Sequence, residues 1–112
     1  METKYPKIAL QGVDGLMFVR KQEILYALAN GNYTLVYLTN GRMVKVLRKL
    51  KEVGHLLSDE NFIRIHRSHL INLGHVIKFN TEHSEAVMMS NGESLAVARN
   101  RKVTFVEKFT RI

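Results

Sequence analysis

The chain has no cysteine. That excludes a disulfide framework and any thiolate-bound metal, and it suits a reducing compartment such as the cytoplasm. No apolar run approaches the roughly 18 residues that a membrane span requires; the longest are as short as Leu16-Met17-Phe18-Val19. The opening Met1-Glu2-Thr3-Lys4-Tyr5-Pro6 lacks the apolar centre of a signal peptide. There are no internal repeats and no low-complexity tract. Also missing are a glycine-rich phosphate loop, a Gly-x-Ser-x-Gly elbow and paired carboxylates in a recognisable setting, so no catalytic residue and no cofactor is assigned. Acids are scarce, ten against seventeen lysines and arginines, and they are spread singly.

That imbalance is the first positive signal. A formal charge of +7 on 112 residues is an electrostatic footprint for a polyanion: nucleic acid first, an acidic membrane surface or acidic protein next. A hydrophobic fraction of 46% in a chain of this length is enough for one domain with a single modest core. Residues 1–6 carry no apolar period and read as a linker or disordered tail, leaving 7–112 as the domain.

Along the domain, apolar runs at 7–11 and 16–20 flank Gly12-Val13-Asp14-Gly15, and the Asp-Gly pair predicts a hairpin. Residues 23–29 read as a short helical turn leading into a strand. Tyr33–Leu38 is rich in β-branched and aromatic residues and predicts a strand; Asn40-Gly41 turns it back into Met43–Val46. From Leu47 to Ser58 the period becomes helical, with Leu47, Leu50, Val53 and Leu57 on one side, and 58–61 ends the helix. Strands follow at 75–80, 86–89 and 94–98, the last two joined by Ser90-Asn91-Gly92. The terminal segment predicts a helix with Asn100 as N-cap, with Val103, Val106 and Phe109 on one face and Phe105 beside Phe109. The sum is a mostly β, antiparallel architecture with two or three short helices.

Between these elements lies Phe62-Ile63-Arg64-Ile65-His66-Arg67-Ser68-His69-Leu70-Ile71-Asn72. It alternates as a strand to His66, with Ile63 and Ile65 on the core side, then breaks at Arg67-Ser68 before a new apolar pair. A polar turn at the end of a rigid strand is where binding residues are presented. His66 and His69, with His75 further on, invite a metal reading. A spacing of three shares one face only in a helix, and no acid or thiol lies nearby, so no metal is assigned. His66 reads as a structural hydrogen-bonding residue or a phosphate contact.

This stretch resembles the signature segment of the LytTR DNA-binding domain, the output module of many bacterial response regulators. Asn30-Gly31-Asn32-Tyr33-Thr34 is similar to that family's glycine-asparagine-tyrosine loop. Asn91-Gly92-Glu93 and Ala96-Val97-Ala98-Arg99-Asn100-Arg101-Lys102 are similar to its closing hairpin and basic segment. The resemblance runs from about Lys7 to Phe109. It implies an elongated, antiparallel all-β fold rather than a helix-turn-helix, and bases read by loop residues at strand ends.

Carried over motif by motif, the resemblance implies base contacts by Asn32, Arg67 and Arg99; for Asn32 a turn residue bonding its own backbone reads equally well. Basic clusters at Arg42, Lys45, Arg48, Lys49 and Lys51, at Arg64 and Arg67, and at Arg99, Arg101 and Lys102 would neutralise phosphates. The expected phosphate contacts are Lys45, Arg48, Lys49, Arg64, His66, Ser68, Arg101 and Lys102; Lys51 and Lys108 read as solvated helix face. The sequence departs from the family pattern at Leu28, Lys49 and Ala98, where an acid, a capping Ser or Thr, and a serine are usual. The implied partners are double-stranded DNA, a receiver domain in the full-length protein and a second copy on DNA. Two other readings compete: a regulatory or protein-interaction domain on the same scaffold without base reading, and a hydrolase or nuclease.

Overall fold

Short β-prone runs separated by Gly-containing turns fold into successive hairpins. The structure, a computed structural model, describes residues 5–57, 61–82 and 85–112. In chain order the strands are β1 (Ile8–Gly12), β2 (Gly15–Val19), β3 (Ile24–Asn30), β4 (Tyr33–Leu38), β5 (Met43–Val46), β6 (Phe62–His66), β7 (His69–Asn72), β8 (Val76–Asn80), β9 (Ala86–Met89) and β10 (Ser94–Ala96). Helix α1 (Leu50–Leu56) follows β5 and α2 (Lys102–Val106) follows β10. Single 3-10 turns occupy Lys21–Glu23, Leu73–His75 and Arg99–Arg101. The predicted helix end at 58–60, and residues 1–4 of the predicted tail, lie outside the described residues.

The central sheet has the order β5-β4-β3-β7-β6; β10-β9-β8 form a second sheet and β1-β2 a hairpin, every pairing antiparallel. The mostly β, antiparallel expectation is therefore met, in a body of 42 × 33 × 25 Å. No helix among the described residues is long and apolar enough to cross a membrane.

Both faces of the central sheet are covered. Val36, Leu38 and Leu70 pack on one side with Leu10 and Val19 of the β1-β2 hairpin and Leu50, Val53 and Leu57 at α1. Ile65 and Ile71 pack on the other with Val87, Met89, Leu95 and Phe105. A strand buried on both faces reads as a continuous apolar run, as β3 does from Ile24 to Ala27. A register shift between Ile24 and Tyr26 lets Leu25 and Tyr26 both enter the second cluster. Ile65 and Ile71 are wholly buried, each worth about 1.5–3 kcal/mol against exposure. Ile63 packs against the same cluster, so β6 is anchored through the isoleucines its alternation singled out.

Two hairpins share one turn chemistry. In Leu38–Arg42, Gly41 N–H donates to Leu38 O (3.1 Å), Arg42 N–H to Asn40 Oδ1 (2.9 Å), and Leu38 N–H to Arg42 O (2.9 Å). Met89–Glu93 repeats all three bonds, with Gly92, Asn91 and Glu93 in the corresponding places. Each needs a residue at positive φ, and Gly41 (86°) and Gly92 (90°) supply it.

Three local expectations are corrected. The first hairpin turns on Val13-Asp14 rather than Asp14-Gly15, because Gly12 pairs with Gly15. Helix α1 starts at Leu50, not Leu47: Leu47 N–H donates to Gln11 O (3.0 Å) and Thr34 Oγ1 donates to Arg48 O (2.8 Å), which draws 47–49 out of the helix. Asn100 lies inside a 3-10 turn, and the N-cap of α2 is Arg101. Its core residue is Phe105, 2% exposed, whereas Val103 is 67% exposed; the expected edge contact between Phe105 and Phe109 is present, ring centroids 5.6 Å apart.

Candidate nucleic-acid interface

Antiparallel pairing decides which loops become neighbours. Asn30 pairs with Tyr33, so Gly31 (φ 62°) and Asn32 form a two-residue turn at one end of the central sheet. Thr34 pairs with Val46, which brings β5 and the connector 47–49 out at that same end. His66 pairs with His69 across the Arg67-Ser68 turn, and Ala29 N–H donates to Ser68 O (2.9 Å), so this turn lies beside the end of β3. Finally Ala98 N–H donates to Ile65 O (2.8 Å), and His69 Nδ1–H to Ala96 O (2.9 Å), which draws the segment entering the Arg99–Arg101 turn against β6 and β7. Asn32, Arg67 and Arg99 thus belong to three loops gathered at one end, and all three are exposed.

The turns of Asn32 and Arg67 are centred two strand spacings apart, which at about 4.8 Å per strand is about 10 Å. Both turns are too short to flex far, and the backbone under each is held in the sheet ladder.

The cations around them divide by what they already hold. Lys45 Nζ stands 4.6 Å from the centroid of the Tyr33 ring, an exposed cation over an aromatic face. Lys49 is the exposed N-cap of α1. Arg48, just ahead of α1, pairs with Glu52 in the first turn of the helix (3.1 Å). Lys102 pairs with Glu85 at 2.6 Å. Such half-exposed pairs are weak and re-partner readily.

Arg64 is half-buried: Nε donates to His66 O (3.1 Å) and Nη2 to Arg67 O, so the guanidinium holds the turn backbone. Arg101 Nη1 donates to Arg64 O (3.3 Å). Burial, and then Arg101, lowers the Arg64 pKa from its ordinary value; an arginine stays charged regardless.

His66 accepts the Ser68 N–H on Nδ1 (3.1 Å), which fixes that nitrogen as unprotonated. Burial pushes its pKa below the ordinary imidazole value, helped by His69, Arg67, Arg101 and Arg64. The two histidine rings stack at 4.4 Å. Their spacing of three, read from the sequence as separating them in a strand, instead spans a two-residue turn and makes them cross-strand partners. Among the described residues no group of three or more potential ligands could hold a metal.

Two contributors were not legible beforehand. His69 was read only as a metal candidate, yet it ties the Arg67-Ser68 turn to β10, the strand before Arg99. Thr34, wholly buried, fixes the connector that carries Arg48 and Lys49. For His69 a signal existed, since His-x-x-His around a strand break is also the spacing of a hairpin pair; for Thr34 there was none.

No curated protein matches the sequence. Among solved structures, the LytTr DNA-binding domain of a protein from Bacillus cereus, ascribed to the methyl-accepting/DNA response regulators, superposes with a TM-score of 0.78. It shares 25% sequence identity, over 94% of this chain and 97% of that one. The family model for the LytTr DNA-binding domain matches residues 14–110. With nearly the whole described body matched, the chain belongs to the LytTr DNA-binding domain family, a family of binding modules, typically the output of response regulators, and not an enzyme class.

Proposed function

We propose that this chain binds double-stranded DNA in a sequence-specific manner and regulates transcription, reading bases with Asn32, Arg67 and Arg99. The observation that carries the reading is the gathering of three exposed loop residues, far apart in sequence, at one end of a sheet surrounded by cations. Arginine can take guanine in the major groove through two hydrogen bonds, and asparagine can do the same for adenine. Lys45, Arg48, Lys49, Arg101 and Lys102 supply charge for phosphates, and His66 and Ser68 flank them; Arg64 has two donors committed to the turn. The ion pairs of Arg48 and Lys102 would open toward phosphate, since exposed pairs are worth only about 0–1 kcal/mol.

In its full setting the domain would be the output module of a cytoplasmic two-component response regulator, with a receiver domain on its N-terminal side and a second copy on DNA. The response-regulator ascription of the Bacillus cereus structure supports this.

The test is selection from a random duplex pool, followed by titration of the selected and a scrambled duplex across a salt series. Enrichment of one sequence supports the reading. Equal affinity for every duplex overturns it in favour of a protein-interaction domain that has kept the scaffold and lost base reading.

A further inference from the structure

Arg64 lies on β6, three residues before Arg67, where β6 and β7 shift register between Arg64 and His66. A bulge at this point re-aims the chain. The carbonyls of the turn that follows need donors. The guanidinium of Arg64 supplies them, Nε to His66 O at 3.1 Å and Nη2 to Arg67 O. One side chain therefore caps both residues at the start of the turn. The Arg64 carbonyl in turn accepts from Arg101 Nη1 (3.3 Å), and Ile65 O from Ala98 N–H (2.8 Å), so the loop carrying Arg99 is fastened to the same strand. A cation meant for phosphate would extend its donors into solvent. This one is half-buried and folds them back onto its own chain.

We propose that Arg64 is a positioning residue for base reading: by spanning the His66 and Arg67 carbonyls it locks the turn that presents Arg67, at a fixed spacing from Arg99. The proposal rests on the reading of Arg67 as a base contact. Only arginine fits the role, because its planar fork offers two fixed donors along one edge, whereas lysine offers a single ammonium point.

The test uses Arg64→Lys, which keeps the charge and removes the fork, alongside Arg67→Ala and the double variant. The selected and scrambled duplexes are titrated across a salt series, with thermal unfolding as a check. The expected result for Arg64→Lys is loss of about tenfold or more in discrimination, given the 1–3 kcal/mol at stake in one two-bond base contact. The salt slope should be unchanged and scrambled-duplex affinity retained. In the Arg67→Ala background Arg64→Lys should add no further loss, because the two act through one contact.

Full discrimination by Arg64→Lys, with Arg67→Ala defective, overturns the positioning role and leaves the base reading intact. Full discrimination by Arg67→Ala overturns both. A measurement on the unaltered free protein decides the matter if Arg64→Lys fails to fold: the Arg64 Nε–H should be resolved and protected from solvent exchange by NMR. Rapid exchange there overturns the proposal.

Discussion

His66 and His69 face each other across the Arg67-Ser68 turn with their rings stacked 4.4 Å apart, and each is committed to a different backbone partner, His66 to Ser68 N–H and His69 to Ala96 O. The pair joins the Arg67-Ser68 turn to the strand that leads to Arg99. Protonating His66 would cost the Ser68 bond and place a cation among Arg67, Arg101 and Arg64.

A pH dependence follows. The His66 pKa in the folded protein is lowered, by burial first and then by the neighbouring cations, whereas the unfolded value is about 6.5. Just below the unfolded value the unfolded chain binds more protons, so stability is fully present above it and declines as pH falls. NMR titration of His66 should give a midpoint below 6.5. His66→Gln, which keeps an acceptor for Ser68 N–H but cannot titrate, should show a shallower loss of stability on acidification. An equal slope in both proteins would place the proton uptake elsewhere.

Affinity and specificity should separate by residue. If about six phosphates are contacted, log K should fall against log salt with a slope near −5, and Lys45→Ala should reduce that slope by about one while weakening all duplexes alike. Arg67→Ala should cost about 1–3 kcal/mol on the selected duplex and relax preference at one base position. A uniform loss on both duplexes with Arg67→Ala would make Arg67 a phosphate contact.

Thr34→Val should destabilise the fold by about 1 kcal/mol in a urea titration, because it removes the bond from the wholly buried Thr34 hydroxyl to the Arg48 carbonyl. The connector bearing Arg48 and Lys49 should loosen with it. Weaker DNA binding with an unchanged sequence preference is the expected companion result; altered preference would show that the connector takes part in base reading.

Ile65→Ala should cost more, about 2–5 kcal/mol, since the side chain is wholly buried. Its carbonyl also receives Ala98 N–H, so the loss should reach the Arg99 loop. Amide exchange at Ala98 should quicken more than at Ala27 in β3, a strand that does not bond Ile65.

How far the sequence reaches can be seen residue by residue. The hairpin around Arg67-Ser68 was legible because alternation ends there and resumes after it. Its consequence, that His66 meets His69, was not, because a spacing of three means different neighbours in a helix, a strand and a hairpin. The connector 47–49 continued the helical pattern, and only distant bonds to Gln11 and Thr34 pull it straight. Helix α2 is too short for a period to choose a face, which is why Val103 was assigned inward and Phe105 undervalued. Of the candidate site, the residue types came from charge and turn chemistry, but their grouping came through the family resemblance. Arg64 showed the limit most clearly: its charge was visible, its target was not.

The shortness of the turns that carry Asn32 and Arg67 has a kinetic consequence. A side chain carried on a long, mobile loop must have that loop ordered at the moment of docking, and this slows capture or weakens the complex. Asn32 and Arg67 stand on two-residue turns closed by paired strands, so little backbone disorder remains to be lost on contact. The domain would arrive at a duplex already in its working shape. Its search should be limited by diffusion and by the attraction between a +7 domain and a polyanion, with discrimination expressed in how long the complex lasts.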